Sequence, residues 1–194
     1  MDVPTGRTLY HFAGWVTHRY VKDAESGLNG DTMGISDLFS ASDVLLDLNA
    51  ANKRHLLEVL SGEAGSRLAR SGEEILDALA AREQLGSTAL RDGVALPHAQ
   101  LPGTFRPLML FARLRRPIYF DETDDQPVDL VFLMLWPAEA AKGFLSAMGD
   151  VCRALREPNV LRRLRSAGTP EEVVQLLQQA QGSSEGASPV REEE

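Results

Sequence analysis

One stretch of this chain concentrates residues able to do chemistry. Ala81-Arg-Glu-Gln-Leu-Gly-Ser-Thr-Ala-Leu-Arg-Asp-Gly-Val-Ala-Leu-Pro-His98 holds an arginine, a Gly-Ser-Thr turn and a histidine that directly follows a proline. Neutral imidazole is nucleophilic and titrates near neutral pH, which suits His98 to accept and release a phosphoryl group. A phosphoryl in transfer needs positioning and charge stabilisation more than covalent help. The hydroxyls of Ser87 and Thr88, with the N–H groups of their turn, are candidate donors to its oxygens, and Arg82 offers a planar, bidentate one. Glu83 is a candidate for orienting that arginine. On these residues alone, a histidine packed at a strand end beside an ordinary helix terminus explains the pattern equally well.

The surrounding elements must place these side chains together. Residues 50–69 carry Leu56, Leu57, Val59 and Leu60 in an amphipathic helical pattern. Ser71-Gly-Glu-Glu74 has the spacing of a capping box and predicts a helix to Leu85, stopped by Gly86. Strands are predicted at 43–48, 93–96, 108–114 and 128–135, the last almost continuously apolar and therefore central. Pro137 fits the first position of a helix to about Arg156. Residues 159–166 form a short helix, and Thr169-Pro-Glu-Glu172 caps a last one. Strands mixed with helices at this spacing imply an α/β layered domain. A short turn of helix is expected at 35–39.

Composition bounds the function. The chain has 194 residues, enough for one well-buried domain, and a formal net charge of −8. Nucleic acid and anionic membranes are polyanions that would repel it, so neither is an expected partner. The single cysteine, Cys152, forms no internal disulfide and sits at an apolar helical position, which suits a reducing compartment; a cytoplasmic location is expected. No apolar run is long enough to span a bilayer. No metal site and no cofactor are expected: the acidic 121–125 segment lacks the spacing of a calcium loop, and there is no nucleotide-binding glycine fingerprint. Arg162-Arg-Leu-Arg165 reads as the surface of a short amphipathic helix.

Residues 1–32 lack sustained periodicity and are read as an extension, disordered or not native, with Met33 the expected natural start; 182–194, rich in Ser, Gly and Glu, is read as a solvated tail. The domain is thus expected over 33–181.

Four motifs in order, Arg82-Glu83-x-x-Gly86-Ser87-Thr88, Gly93-Val-Ala-Leu-Pro97-His98, Pro117-Ile-Tyr-Phe-Asp121 and Gln126-Pro-Val-Asp-Leu130, resemble the enzyme IIA domain of the mannitol/fructose class. Such domains belong to the bacterial phosphoenolpyruvate-dependent sugar phosphotransferase system, and the look is nearest to its stand-alone nitrogen regulatory members. The resemblance covers roughly residues 34–181. It implies a mixed β-sheet flanked by helices, with His98 phosphorylated by an HPr-like phosphocarrier protein. It implies a system component carrying a phosphohistidine rather than a stand-alone enzyme. Phosphorylation would regulate protein targets linked to nitrogen, carbon or potassium; the alternative is a IIA component passing phosphate to a sugar-specific IIB domain for fructose/mannitol-type uptake. The absence of an attached IIB-like segment favours regulation. Two departures stand out. The position matching the family's second histidine is Phe144, which offers no hydrogen bond to phosphate, and the usual glycine-rich run after Gly-Ser-Thr is Ala89-Leu-Arg91, whose arginine is a candidate compensating cation.

Overall fold

The computed structural model describes residues 39–104, 106–121 and 126–185. The expected N-terminal extension, all but the last residue of the turn at 35–39, most of the acidic 121–125 segment, and the tail from 186 lie outside the described residues.

The sheet is built on the apolar strand β5, Val128–Pro137, which is buried at all positions but one. Strand β4, Leu108–Ile118, runs antiparallel to it on one side. On the other side two short strands, β2 (Val94–Ala95) and β3 (His98–Leu101), run parallel to it. Strand β1, Val44–Leu48, pairs parallel with β4 at the far edge. The result is a mixed sheet in the order β1-β4-β5-β2, with β3 also on β5.

Because side chains alternate across a strand, β5 supplies two cores. Leu130, Phe132, Met134 and Trp136 face α3 (Ala141–Ala154), α4 (Pro158–Ser166) and α5 (Pro170–Glu185). Val131, Leu133 and Leu135 face α1 (Lys53–Leu68) and α2 (Gly72–Glu83). The α/β layered expectation is met, with helices on both faces. The helix starts follow the caps read from sequence: Ser71 Oγ accepts from the Glu73 amide at 3.2 Å, and Thr169 Oγ1 from the Glu172 amide at 3.2 Å.

Strand β4 runs to Ile118, beyond the expected 108–114, and α2 ends at Glu83, short of Leu85; two further differences centre on prolines. The strand predicted at 93–96 is the two-residue β2, and His98 opens a further strand, β3, rather than trailing it. Pro97 has no N–H to give the ladder, yet its carbonyl accepts from Met134 N at 2.9 Å. The register therefore runs unbroken across it, with Ala95 opposite Val131 and His98 opposite Met134. Pro137 closes β5 opposite Leu101 instead of opening a helix, and a 3-10 turn, Ala138–Ala140, precedes α3. Trp136 Nε1 fastens that turn by donating to Ala140 O at 3.0 Å.

The second and fourth motifs meet at the base of the sheet. Asp129 N and Leu130 N both donate to Gly93 O, at 2.9 and 3.1 Å. The Asp129 carboxylate takes a fork from Arg165, Nε to Oδ2 and Nη2 to Oδ1, both at 2.7 Å. Gly93 has φ +74, and a Cβ there would stand 3.0 Å from Asp129 Oδ1 and 2.9 Å from Arg165 Nη2, so only glycine fits. Arg165 is thus a packing residue, while Arg162 and Arg163 of the same run are exposed.

Candidate active site

His98 is half-buried at the start of β3, where the strand gives its ring a fixed exit beside the end of α2. Its Nδ1 lies 2.8 Å from Leu96 O, and a carbonyl only accepts, so Nδ1 carries the proton. Nε2 then bears the lone pair, and it accepts from Arg82 Nε at 2.8 Å. The same arginine donates through Nη1 to Gly86 O at 3.1 Å. Arg82 thus bridges the nucleophilic nitrogen and the turn that ends α2.

Burial, which penalises the charged ring, is the main cause holding the His98 pKa below its ordinary value. The hydrogen bond to Leu96 O opposes that shift; the positive charge of Arg82 adds to it and the carboxylate of Glu83 opposes it. The lowered pKa favours the neutral ring, whose Nε2 electron pair accepts from Arg82.

Glu83 does not orient Arg82. Its carboxylate turns to Thr88, taking the amide N–H at 3.1 Å on Oε1 and the hydroxyl at 2.7 Å on Oε2, and pairs with Lys53 Nζ at 3.3 Å. Both donors of Thr88 are therefore committed to Glu83, and the buried Thr88 side chain supports the turn instead of offering its hydroxyl to a ligand. Ser87 is exposed at the rim, its Oγ accepting from Ala89 N at 3.3 Å. Residues 88–96 close as a hairpin: Leu96 N donates to Thr88 O at 2.9 Å, Leu90 N to Val94 O at 2.7 Å, and Ala89 bridges Ala95. This sets Arg91 at the hairpin tip, at the end away from His98. A tip position is a property of pairing between distant residues, which the local sequence does not display.

Across from Arg82 the wall is aromatic. The Phe144 ring lies 5.5 Å from the imidazole, centroid to centroid, tilted by 42°, and Trp136 backs it at 6.1 Å. Gly143 makes room for the indole, since a Cβ at 143 would come within 3.0 Å of Trp136 Cζ2. Sequence reasoning singled out Phe144 but not Trp136, whose position on β5 next to a glycine of the following helix was the available signal. Among the described residues no group of His, Cys, Asp and Glu could hold a metal ion, and no helix is long and apolar enough to cross a membrane.

The family described as phosphoenolpyruvate-dependent sugar phosphotransferase system, EIIA 2, matches residues 37–180. The chain belongs to this family. A nitrogen regulatory protein of Bradyrhizobium diazoefficiens is 37% identical over 145 residues, 75% of this chain and 95% of the relative. The crystal structure of nitrogen regulatory protein IIA-Ntr from Neisseria meningitidis superposes with a TM-score of 0.70 at 30% identity, covering 74% of this chain and 98% of that one. IIA mannitol of Escherichia coli, in a complex with phosphorylated IIB mannitol, shares the fold at a TM-score of 0.62 and 20% identity, covering 73% of this chain and 97% of that one. In this EIIA 2 chain the arginine ahead of Gly-Ser-Thr and the helix that follows the central strand both meet the histidine of the Pro97-His98 pair.

Proposed function

We propose that this protein is a regulatory phosphocarrier of the nitrogen regulatory type, taking a phosphoryl group on Nε2 of His98 from an HPr-like phosphocarrier and altering its binding to target proteins in response. The observation that carries the reading is the imidazole held between two opposed hydrogen bonds, Leu96 O on Nδ1 and Arg82 on Nε2. The first fixes the tautomer and leaves the attacking lone pair on the outer nitrogen. The second keeps a guanidinium beside the place where phosphoryl oxygens arrive. As the N–P bond forms at Nε2 and the donor's N–P bond breaks, positive charge develops on the ring. The Leu96 carbonyl is already on the proton that must carry it, and the Glu83 charge favours it. Arg82 and the exposed Ser87 are the groups that meet the phosphoryl oxygens, with Thr88 supporting from behind.

Two exposed leucines are neighbours in sequence of residues at the site. Leu85 precedes Gly86, whose carbonyl binds Arg82, and Leu145 follows Phe144; they are 84% and 68% exposed. Partners of regulatory type are favoured over a sugar-specific IIB domain by Phe144, which presents the cleft with an aromatic face and no hydrogen-bond donor. A cytoplasmic location and a domain over 33–181 accompany this reading.

Incubation with phosphoenolpyruvate, enzyme I and a candidate phosphocarrier tests it through acid-labile label on the chain. The wild type takes up label and His98→Ala takes up none while keeping its circular dichroism. Labelling of His98→Ala at the wild-type level refutes the assignment.

A further inference from the structure

Between the catalytic imidazole and Glu83 runs a series of hydrogen bonds, linked through the backbone of Thr88 and Leu96, that the phosphoryl chemistry itself does not require. Glu83, with a side chain only 8% exposed, receives both donors of Thr88. The Thr88 carbonyl receives the Leu96 amide at 2.9 Å, and the Leu96 carbonyl receives Nδ1–H of His98 at 2.8 Å. Leu96 lies between β2 and β3 and spends its amide on Thr88, so the aim of its carbonyl rests on where Thr88 is held.

We propose that Glu83 is a positioning residue for phosphoryl transfer: acting through Thr88 and Leu96, it holds His98 in the Nδ1–H tautomer and so directs the phosphoryl group to Nε2. Lys53 completes the arrangement by pairing with the buried carboxylate at 3.3 Å while its Nζ lies over the Phe120 ring, 5.8 Å from the centroid. Glu83 touches neither the imidazole nor the phosphoryl path. Its effect is carried by where the backbone of Thr88 and Leu96 is held.

This inference rests on His98 being the phosphoryl acceptor, and its test separates the two ideas. The full chain, labelled with 15N-histidine, is examined by NMR above the titration range of the ring, where the two imidazole nitrogens report the tautomer directly. The wild type shows His98 predominantly as Nδ1–H. In Glu83→Ala both tautomers become populated, and the phosphorylation rate per folded molecule falls about tenfold, the scale of losing a partner that orients a functional histidine. Glu83→Gln, which keeps an acceptor for the Thr88 amide, retains more of both properties. Thr88→Val keeps the shape and removes only the hydroxyl; it moves the tautomer the same way by a smaller amount and decides the matter if Glu83→Ala does not fold. Unchanged imidazole signals in these variants overturn the proposal, even where the rate falls, because a purely structural or docking role would act without touching the tautomer. A wild type that takes no phosphate refutes the acceptor reading instead, and leaves the tautomer comparison to decide the role of Glu83.

Discussion

Replacing Arg82 by alanine removes two things at once, and they act in opposite directions on different reagents. In the resting protein the guanidinium covers the attacking nitrogen, Nε to Nε2 at 2.8 Å. During transfer it is the cation nearest the incoming phosphoryl oxygens. A hydrogen bond to a charged group contributes about 1.5–3 kcal/mol, so loss of the second role slows phosphorylation by the phosphocarrier by about one to two orders of magnitude. Loss of the first uncovers Nε2. This bond too is donated by a charged group and contributes about 1.5–3 kcal/mol, so a small uncharged acylating reagent such as diethylpyrocarbonate reacts with His98 about one to two orders of magnitude faster in Arg82→Ala. The variant also loses the charge that helps lower the His98 pKa, but burial is the larger cause and the ring stays neutral above pH 7. Both rates are measured at pH 7.5 on the same preparation, label transfer from the phosphorylated carrier and carbethoxylation followed by absorbance. A slower first reaction with a faster second supports the double role. An unchanged rate of label transfer refutes the reasoning, and equal slowing of both assigns Arg82 to maintenance of the fold.

Phe144→His puts a donor opposite His98 at the 5.5 Å ring contact and is expected to speed transfer to a sugar-specific IIB domain, measured with one donor and one acceptor; fast wild-type transfer that the substitution does not improve would favour the sugar-transport alternative. The pH dependence follows from the direction of the His98 shift. Its folded pKa lies below the unfolded value of about 6.5, so the stability it contributes is fully present above that pH and is lost as pH falls toward the folded value. Urea midpoints of wild type and His98→Ala should converge on acidification through that window, and parallel curves would contradict it. Gly93→Ala must hold φ near +74 and seat a Cβ 3.0 Å from Asp129 Oδ1. It should cost about 2 kcal/mol or more in urea unfolding, whereas a loss under 0.5 kcal/mol would mean that the turn relaxes freely.

Much of this molecule was legible in the chain itself. The apolar run of β5, the helix caps at Ser71 and Thr169, and the ordered motifs around Pro97-His98 are local patterns, and local patterns specify element type and family membership directly. Phe144 too was recognisable as a residue of the wrong chemistry at an informative place. What sequence could not decide was how polar groups divide among competing partners. Glu83 is adjacent to Arg82 in the chain, yet consecutive helical residues do not face each other, and the carboxylate turns to Thr88 and Lys53 while the guanidinium reaches His98. Arg91 is close to Ser87 in sequence, yet hairpin pairing carries it to the far tip. Pro97 looked like the end of a strand because it breaks the donor series, but β5 bridges the gap through the proline's carbonyl and keeps His98 in register. Donor and acceptor inventories are written in the residues; which donor meets which acceptor is set by packing two helices against one sheet, and that is decided only in three dimensions.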